Sequence, residues 1–94
     1  MRVAWSVLLL DLARYQDEEG ERTVGGFESF EAAREYARGR VAGSLAELHK
    51  PGQAAAELRA LWLRFGEDAI VPGEPGYKAS SELEEMIARL PGME

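Results

Sequence analysis

The chain of 94 residues contains no cysteine and no asparagine, and its only histidine is His49. The absence of cysteine excludes disulfides, thiol nucleophiles, zinc–thiolate sites and iron–sulfur clusters. A single histidine also argues against histidine-rich metal sites and catalytic triads, because both need several partner residues. The sequence therefore excludes much of enzyme chemistry, and its lack of cysteine fits a reducing cytoplasm.

Long apolar runs are also lacking. The most apolar stretch, VAWSVLLL at residues 3–10, is about half the length that a membrane-spanning helix needs. Asp11 and Arg14 interrupt the apolar pattern, and no small-residue cleavage site follows, so the stretch is not typical of a signal peptide. We expect a buried strand here, no membrane partner and a cytoplasmic location.

Positive charge is scarce, since 17 acidic residues stand against 11 basic ones and the formal net charge is -6. A field of this sign repels phosphate backbones, so we expect no nucleic-acid partner, whereas a basic protein would be attracted. Arginine is used far more than lysine, and with the missing asparagine this indicates heat adaptation. A GC-rich genome would produce the same arginine preference.

Two apolar segments around a charged, glycine-containing turn predict an N-terminal β-hairpin. Its first strand is apolar on both faces, because Leu8 and Leu10 point away from the face that carries Val7 and Leu9. A strand of this kind is usually covered on both sides. One small domain offers few elements for the second covering, so we predict that this face forms a homodimer.

A long helix is predicted after the hairpin. Ser29 suits its N-cap, apolar residues then recur at helical spacing, and Pro51-Gly52 ends it. Gly39 and Gly43 lie inside the helix, where each costs about 1 kcal/mol relative to alanine. With the capping-box spacing that begins at Ser44, they indicate a continuous helix that can bend near Gly43.

Two more helices follow. The first covers residues 53–65, and we expect Gly66 to end it in a left-handed conformation. The second is predicted after Ser81 and Glu84, which have the spacing of a capping box. The expected core residues of the helix over 53–65 are Leu58, Leu61, Trp62 and Phe65.

Short strands are predicted at residues 69–71 and 77–79, on either side of the turn sequence PGEPG. The element order is therefore ββααβ(β)α. The predicted fold class is α+β, a single domain over residues 1–94. A small antiparallel sheet, made of the hairpin and one or two later strands, packs against about three helices.

Few polar residues are candidates for chemistry: Tyr15 and Asp17 in the hairpin turn, His49 at the end of the long helix, and Glu67 and Asp68. Neighbouring strand residues point to opposite faces, so Glu67 and Asp68 are interpreted as solvated corner residues and not as an acid–base pair. The hairpin turn lacks calcium-loop spacing, and His49 suits the negative end of a helix dipole. We therefore assign no catalytic, cofactor-binding or metal-ligating residue and expect no cofactor.

Several segments resemble a family of small uncharacterised bacterial proteins. The shared motifs are a Tyr-x-Asp-Glu hairpin, a Gly-x-Phe-x-[ST]-x-Glu-Ala helix start, a Lys-Pro-Gly reversal and a Phe-Gly-Glu-Asp corner. They correspond here to Tyr15, Asp17 and Glu18, to Gly25, Phe27, Ser29, Glu31 and Ala32, to 50–52 and to 65–68. The resemblance covers residues 7–71 and implies a bacterial origin, and it brings no known reaction, cofactor or partner.

The sequence predicts a small non-catalytic protein-interaction module that self-associates as a homodimer or binds another protein. The alternative is a small-molecule or metal-binding domain, which could be an enzyme. Its polar site would lie near the hairpin and the Glu67–Asp68 corner, with Tyr15, Asp17, His49, Glu67 and Asp68 as ligand contacts. The hairpin-then-helix opening also resembles antitoxin-like domains, which bind a toxin protein.

Overall fold

The computed structural model describes residues 4–14, 20–73 and 76–90. Its elements are β1 (Trp5–Asp11), β2 (Glu21–Phe27), α1 (Phe30–Leu48), α2 (Ala55–Phe65), β3 (Glu67–Val71), β4 (Tyr77–Lys78) and α3 (Leu83–Ala88). Short 3-10 helices follow β1 at Leu12–Arg14 and β4 at Ala79–Glu82. The predicted α+β class and element order are confirmed. None of the described helices has the length and apolar character needed to cross a membrane.

The four strands form one antiparallel sheet in the order β2-β1-β3-β4. β1 is central: Leu9 pairs with Arg22 of β2 on one side and with Ala69 of β3 on the other. The predicted hairpin is therefore formed by β1 and β2. β3 starts two residues earlier than predicted, at Glu67, because the backbone is already extended at Gly66.

The core lies between one face of the sheet and the helices. The buried sheet residues on this face are Val7, Leu9, Ala69 and Val71, and those of α1 are Ala33, Ala37, Val41 and Leu45. Small alanines let α1 lie close to the sheet, because packing distance follows side-chain size. The predicted apolar stripe of the long helix is thus confirmed as the main contact with the sheet.

α1 begins as predicted and continues without a break. The extended Ser29 is its N-cap, and its Oγ accepts a hydrogen bond from Ala32 N at 3.0 Å. The capping-box spacing at Ser44 does not restart the helix, because the Ser44 hydroxyl donates to the carbonyl of Val41 at 2.9 Å. Gly39 and Gly43 are therefore interior residues of a helix of 19 residues.

α2 contributes Leu58 and Trp62 to the core, and Trp62 is only 2% exposed. The prediction that Phe65 belongs to the core is wrong, since this side chain is 56% exposed. Phe65 has the helical phase of Leu58, but it lies beside Gly39 and Gly43 of α1. Those glycines have no side chains with which to cover its ring.

The predicted left-handed conformation at Gly66 is also wrong, since its φ is -83° and its ψ is -169°. Glycine is required here for space, because an added Cβ would fall on the indole of Trp62. The Gly66 amide donates to the carbonyl of Trp62 at 2.7 Å. α2 thus passes into β3 through a residue that must lack a side chain.

The predicted capping box at Ser81 and Glu84 does not form. The Ser81 hydroxyl donates to the carbonyl of Lys78 at 2.6 Å within the 3-10 helix, and Glu84 instead forms a bidentate ion pair with Arg59 of α2. The 3-10 helix therefore occupies the residues at which the sequence predicts the start of the last helix. α3 starts later, at Leu83.

Candidate functional site

Glu67 and Asp68 begin β3, and their side chains leave the strand on opposite faces. Glu67 faces α1, where Arg40 donates from Nε to Oε1 at 2.7 Å and from Nη2 to Oε2 at 2.9 Å. This bidentate hydrogen-bonded pair raises the pKa of Arg40 above its ordinary value. Because the two carboxylates point to opposite faces and contact different elements, they do not converge on one atom.

Asp68 is 5% exposed, so the prediction that it is a solvated corner residue is wrong. Its Oδ1 accepts hydrogen bonds from the backbone amides of Ala69 at 2.8 Å and of Ser80 at 3.1 Å. β4 ends at Lys78 and the 3-10 helix follows it, so the Ser80 amide bonds to the Asp68 carboxylate and not to a strand carbonyl. Asp68 therefore holds the 3-10 helix against β3.

A groove with a volume of about 300 Å³ lies beside the Arg40–Glu67 pair. Gly39 and Gly43 line it one helical turn apart, and no atom lies within 4 Å of a Cβ built on either glycine. The remaining lining residues are Asp11, Arg40, Ser44, Glu47, Phe65, Gly66 and Glu67. The two glycines thus leave room for a surface groove beside the helix.

The charge of the groove is negative. Asp11 lies directly opposite Glu67 in the register of β1 and β3, and Glu47 adds a third carboxylate, against the single guanidinium of Arg40. Like charges in directly opposite strand positions repel one another. Together with the exposed ring of Phe65, this lining favours a ligand that carries positive charge and an apolar part.

His49 caps the C-terminal end of α1, one residue beyond the helix. Its backbone amide donates to the carbonyl of Leu45 at 2.9 Å, and its Nε2 is buried with no hydrogen-bond partner among the described residues. His49 is not among the residues that line the groove. Tyr15 and Asp17 lie outside the described residues.

Of the five predicted ligand contacts, the groove therefore contains Glu67. Asp68 is held by backbone amides on the other side of the strand. Within residues 4–14, 20–73 and 76–90, no group of three His, Cys, Asp or Glu side chains is placed to hold a metal ion.

The second face of the sheet, which we call the open face, carries an apolar stripe of Leu8, Leu10 and Ile70. Asp68 lies on the same face, directly opposite Leu10, and its carboxylate is buried. Leu8 lies directly opposite Ile70 in the register of β1 and β3. All three residues of the stripe are partly buried, yet none belongs to the core cluster or to the residues packed against it. The described helices pack on the opposite face, against Val7 and Leu9.

Sequence reasoning missed most of the groove. Arg40 and Glu67 are separated by 27 residues, and no local pattern relates them. The signal that could have found the groove is the spacing of Gly39 and Gly43, which places two missing side chains on one helix face. The open face, in contrast, follows from the alternation of β1.

Comparison with known proteins assigns no family or function to the chain. No protein-family model, curated protein or solved structure matches it. The resemblance to small uncharacterised bacterial proteins therefore stays a prediction. The open face and the groove are the two surface features of the described residues that bear on function.

Proposed function

We propose that this chain is a small non-catalytic interaction module that forms a homodimer through its open face. The observation that supports this is the apolar stripe of Leu8, Leu10 and Ile70, which lies outside the core cluster on the face opposite Val7 and Leu9. Removing apolar surface from water stabilises an association by about 25 cal/mol per Å². A stripe on the two central strands is available to a partner that lies flat against the sheet.

A second copy of the chain is the partner that such a stripe fits, because two equivalent stripes can pack face to face about 10 Å apart. Four strands with a spacing of about 4.8 Å give a face roughly 19 Å wide. Since its longest central strand has seven residues, or about 24 Å, the face has an area of at most about 450 Å². A typical stable interface buries about 800 Å² on each partner. We therefore expect dissociation constants in the micromolar range.

Sedimentation velocity between about 1 and 100 µM tests this proposal. We expect the wild type to shift from monomer to dimer over this range. Leu8→Lys should abolish the shift, because it places a charge in the centre of the stripe, and its melting curve should confirm a folded monomer. Leu63→Lys is the matched control, since Leu63 is 58% exposed on α2 and should leave dimerisation intact. A wild type that stays monomeric throughout would overturn the proposal.

A second proposal concerns the groove, which we infer to bind a small organic cation. The supporting observation is the exposed Phe65 ring beside a groove lined by three carboxylates and one guanidinium. The Arg64 guanidinium lies 5.6 Å from the centre of the Phe65 ring, so a bound amine must replace Arg64 or use the other face of the ring. Aromatic rings attract cations by roughly 0.5–2 kcal/mol, and the carboxylates of the groove add attraction of the same sign. An aliphatic diamine or polyamine has both the charge and the apolar part that the groove requires.

Thermal denaturation with putrescine or spermidine tests the second proposal. A ligand present at 100 times its dissociation constant should stabilise the protein by about 2.7 kcal/mol. Phe65→Ala should weaken this effect, whereas Leu63→Ala, which removes another exposed apolar side chain of α2, should not. If acetate or sodium chloride gave the same shift as the amines, the groove would have no specificity for cations and the proposal would fail.

A further inference from the structure

Residues of opposite charge border the two edges of the open face. Glu21 of β2 lies opposite Leu10, and Lys78 of β4 lies opposite Ile70, so both belong to the face that carries the stripe. Both residues are exposed. Neither forms an ion pair with another residue of the described chain. Asp68 of the same face is buried and accepts hydrogen bonds from two backbone amides. The exposed charges of the face are therefore acidic at its β2 edge and basic at its β4 edge.

This polarity distinguishes the two ways in which identical faces can stack about a two-fold axis. An axis parallel to the strands places β2 of one copy over β4 of its partner. An in-plane axis perpendicular to the strands places β2 over β2 and β4 over β4. Only the first arrangement opposes unlike charges, because the second sets Glu21 against Glu21 and Lys78 against Lys78.

We propose that two copies pack their open faces about an axis parallel to the strands, with Glu21 of each copy facing the partner's Lys78. This inference rests on the homodimer proposed above and specifies its geometry. Like charges held across an interface cost free energy and exclude the competing arrangement, so the edge charges determine orientation while the apolar stripe supplies affinity.

The distances implied by standard sheet geometry allow this contact. Lys78 lies in the same cross-strand row as Leu8 and Ile70, and Glu21 lies in the row of Leu10, two residues further along β1. Two residues correspond to an offset of about 7 Å along the strand, and the sheets lie about 10 Å apart. Long lysine and glutamate side chains that project toward each other can span this separation. The contact would occur twice in the dimer.

Charge reversal at the two positions tests the arrangement through the dimer dissociation constant, measured by sedimentation equilibrium. Glu21→Lys creates two Lys–Lys contacts and Lys78→Glu creates two Glu–Glu contacts, so each should weaken dimerisation by about threefold to tenfold. The double variant recreates both pairs with their signs exchanged and should return to near the wild-type value. Mixing the two single variants should also restore affinity, because their heterodimer contains two unlike pairs.

The matched controls are Glu57→Lys and Lys50→Glu, which change the net charge equally at exposed positions outside the sheet. They should differ little from the wild type, so that an effect of net charge is separated from an effect of the edge pair. Single reversals equal to these controls, or a double variant that stays weak, would overturn the arrangement.

The outcomes also separate this inference from the proposal on which it rests. A Leu8→Lys protein that still dimerises would show that the open face is not the interface at all. A mixture of the two single variants that binds more tightly than the wild type would indicate the perpendicular axis, in which the wild type opposes like charges. That result would overturn the inference while leaving the open-face homodimer in place.

Discussion

Asp68 is a buried carboxylate whose partners are backbone amides and not a cation. Its Oδ1 accepts from Ala69 and Ser80, which lie on two different elements. Buried amides without an acceptor cost free energy comparable to a lost hydrogen bond. A negatively charged residue thereby acts as a connector between β3 and the following 3-10 helix.

Asp68→Ala should destabilise the protein by about 2–4 kcal/mol, because two buried amides lose their acceptor. Asp68→Asn should lose less, since its side-chain oxygen can still accept a hydrogen bond. Urea denaturation measures both changes, with Glu57→Ala as a control at an exposed position of α2, where we expect a change of less than about 0.5 kcal/mol. A stable Asp68→Ala protein would contradict the connector role.

The burial of single residues is predictable where a periodic pattern determines it. The apolar stripe of α2 predicts a core position for Trp62, and its burial confirms this. The hydrogen bond from its indole to Ser44 Oγ at 2.9 Å follows from no local pattern. Phe65 fits the same stripe and is exposed. The two residues differ because Phe65 lines the groove beside Gly39 and Gly43 of α1, which have no side chains to cover it. The sequence pattern of α2 contains no information about these residues of α1. The hydrogen bond between Asp68 and the Ser80 amide likewise depends on where the 3-10 helix after β4 lies, which no local pattern predicts.

At the level of elements, glycines act in opposite ways in α1 and at the end of α2. Gly39 lies in a regular helix with open space at its Cβ position, whereas Gly66 lies against the Trp62 indole. In a helix, glycine costs conformational entropy that alanine does not. The first glycine therefore lowers the stability of its element, and the second allows two elements to join.

The same substitution should have opposite effects at these two positions. Gly39→Ala should stabilise the protein by about 1 kcal/mol through helix propensity. Gly66→Ala should destabilise it by about 1–3 kcal/mol, since the added methyl group forces Trp62 or the backbone to move. Chemical denaturation of both variants, each with unchanged circular dichroism, provides the measurement. Changes of the same sign in both variants would be inconsistent with this account.

The order of elements was predictable because hydrophobic periodicity and turn residues mark each segment. The residues at which the elements begin were not predictable in every case, because they depend on contacts between segments. Glu84 pairs with Arg59 of α2 and is therefore not available to cap α3. The groove beside Arg40 and Glu67 needs α1, α2 and β3 in their final positions, so no single segment contains it.

For the molecule as a whole, a polar cluster ties the C-terminal elements to α1. The Tyr77 hydroxyl donates to Glu82, whose carboxylate also lies 3.4 Å from Nε of Arg38. The guanidinium of Arg34 lies 5.2 Å from the centre of the Tyr77 ring. These contacts join β4, the following 3-10 helix and α1, so their ionisation affects global stability.

Stability should therefore fall on both sides of a neutral plateau. The hydrogen bond from Tyr77 lowers the pKa of Glu82, so its contribution is complete above the ordinary value of 4.5 and is lost as the pH falls. Arg59 acts on Glu84 in the same direction. Burial and the bond to Glu82 raise the pKa of Tyr77, so its contribution is complete below the ordinary value of 10.0 and is lost at higher pH.

Urea denaturation from pH 3 to 11, a range that extends about one unit beyond both ordinary pKa values, measures how the free energy of unfolding falls on the acid side and on the alkaline side. Tyr77→Phe should remove the loss of stability at alkaline pH that Tyr77 causes. It should also reduce the loss at acid pH, because Glu82 no longer accepts the hydrogen bond that lowers its pKa. Tyr36→Phe, a change at a tyrosine that stacks with Phe27 outside this cluster, serves as control and should retain both losses of stability. Identical pH profiles for the two variants would exclude Tyr77 as the source.

The central position of β1 affects how the protein is made. Leu10 pairs with Glu21 in the next strand and with Asp68 of β3, which comes 47 residues after Glu21. At a synthesis rate of about 5–20 residues per second, β3 leaves the ribosome several seconds after β2. During that interval the nascent hairpin presents one unpaired edge of its most apolar strand, to which another chain can add. The yield of folded protein should therefore depend on how quickly β3 pairs with this edge of β1 once it has been synthesised.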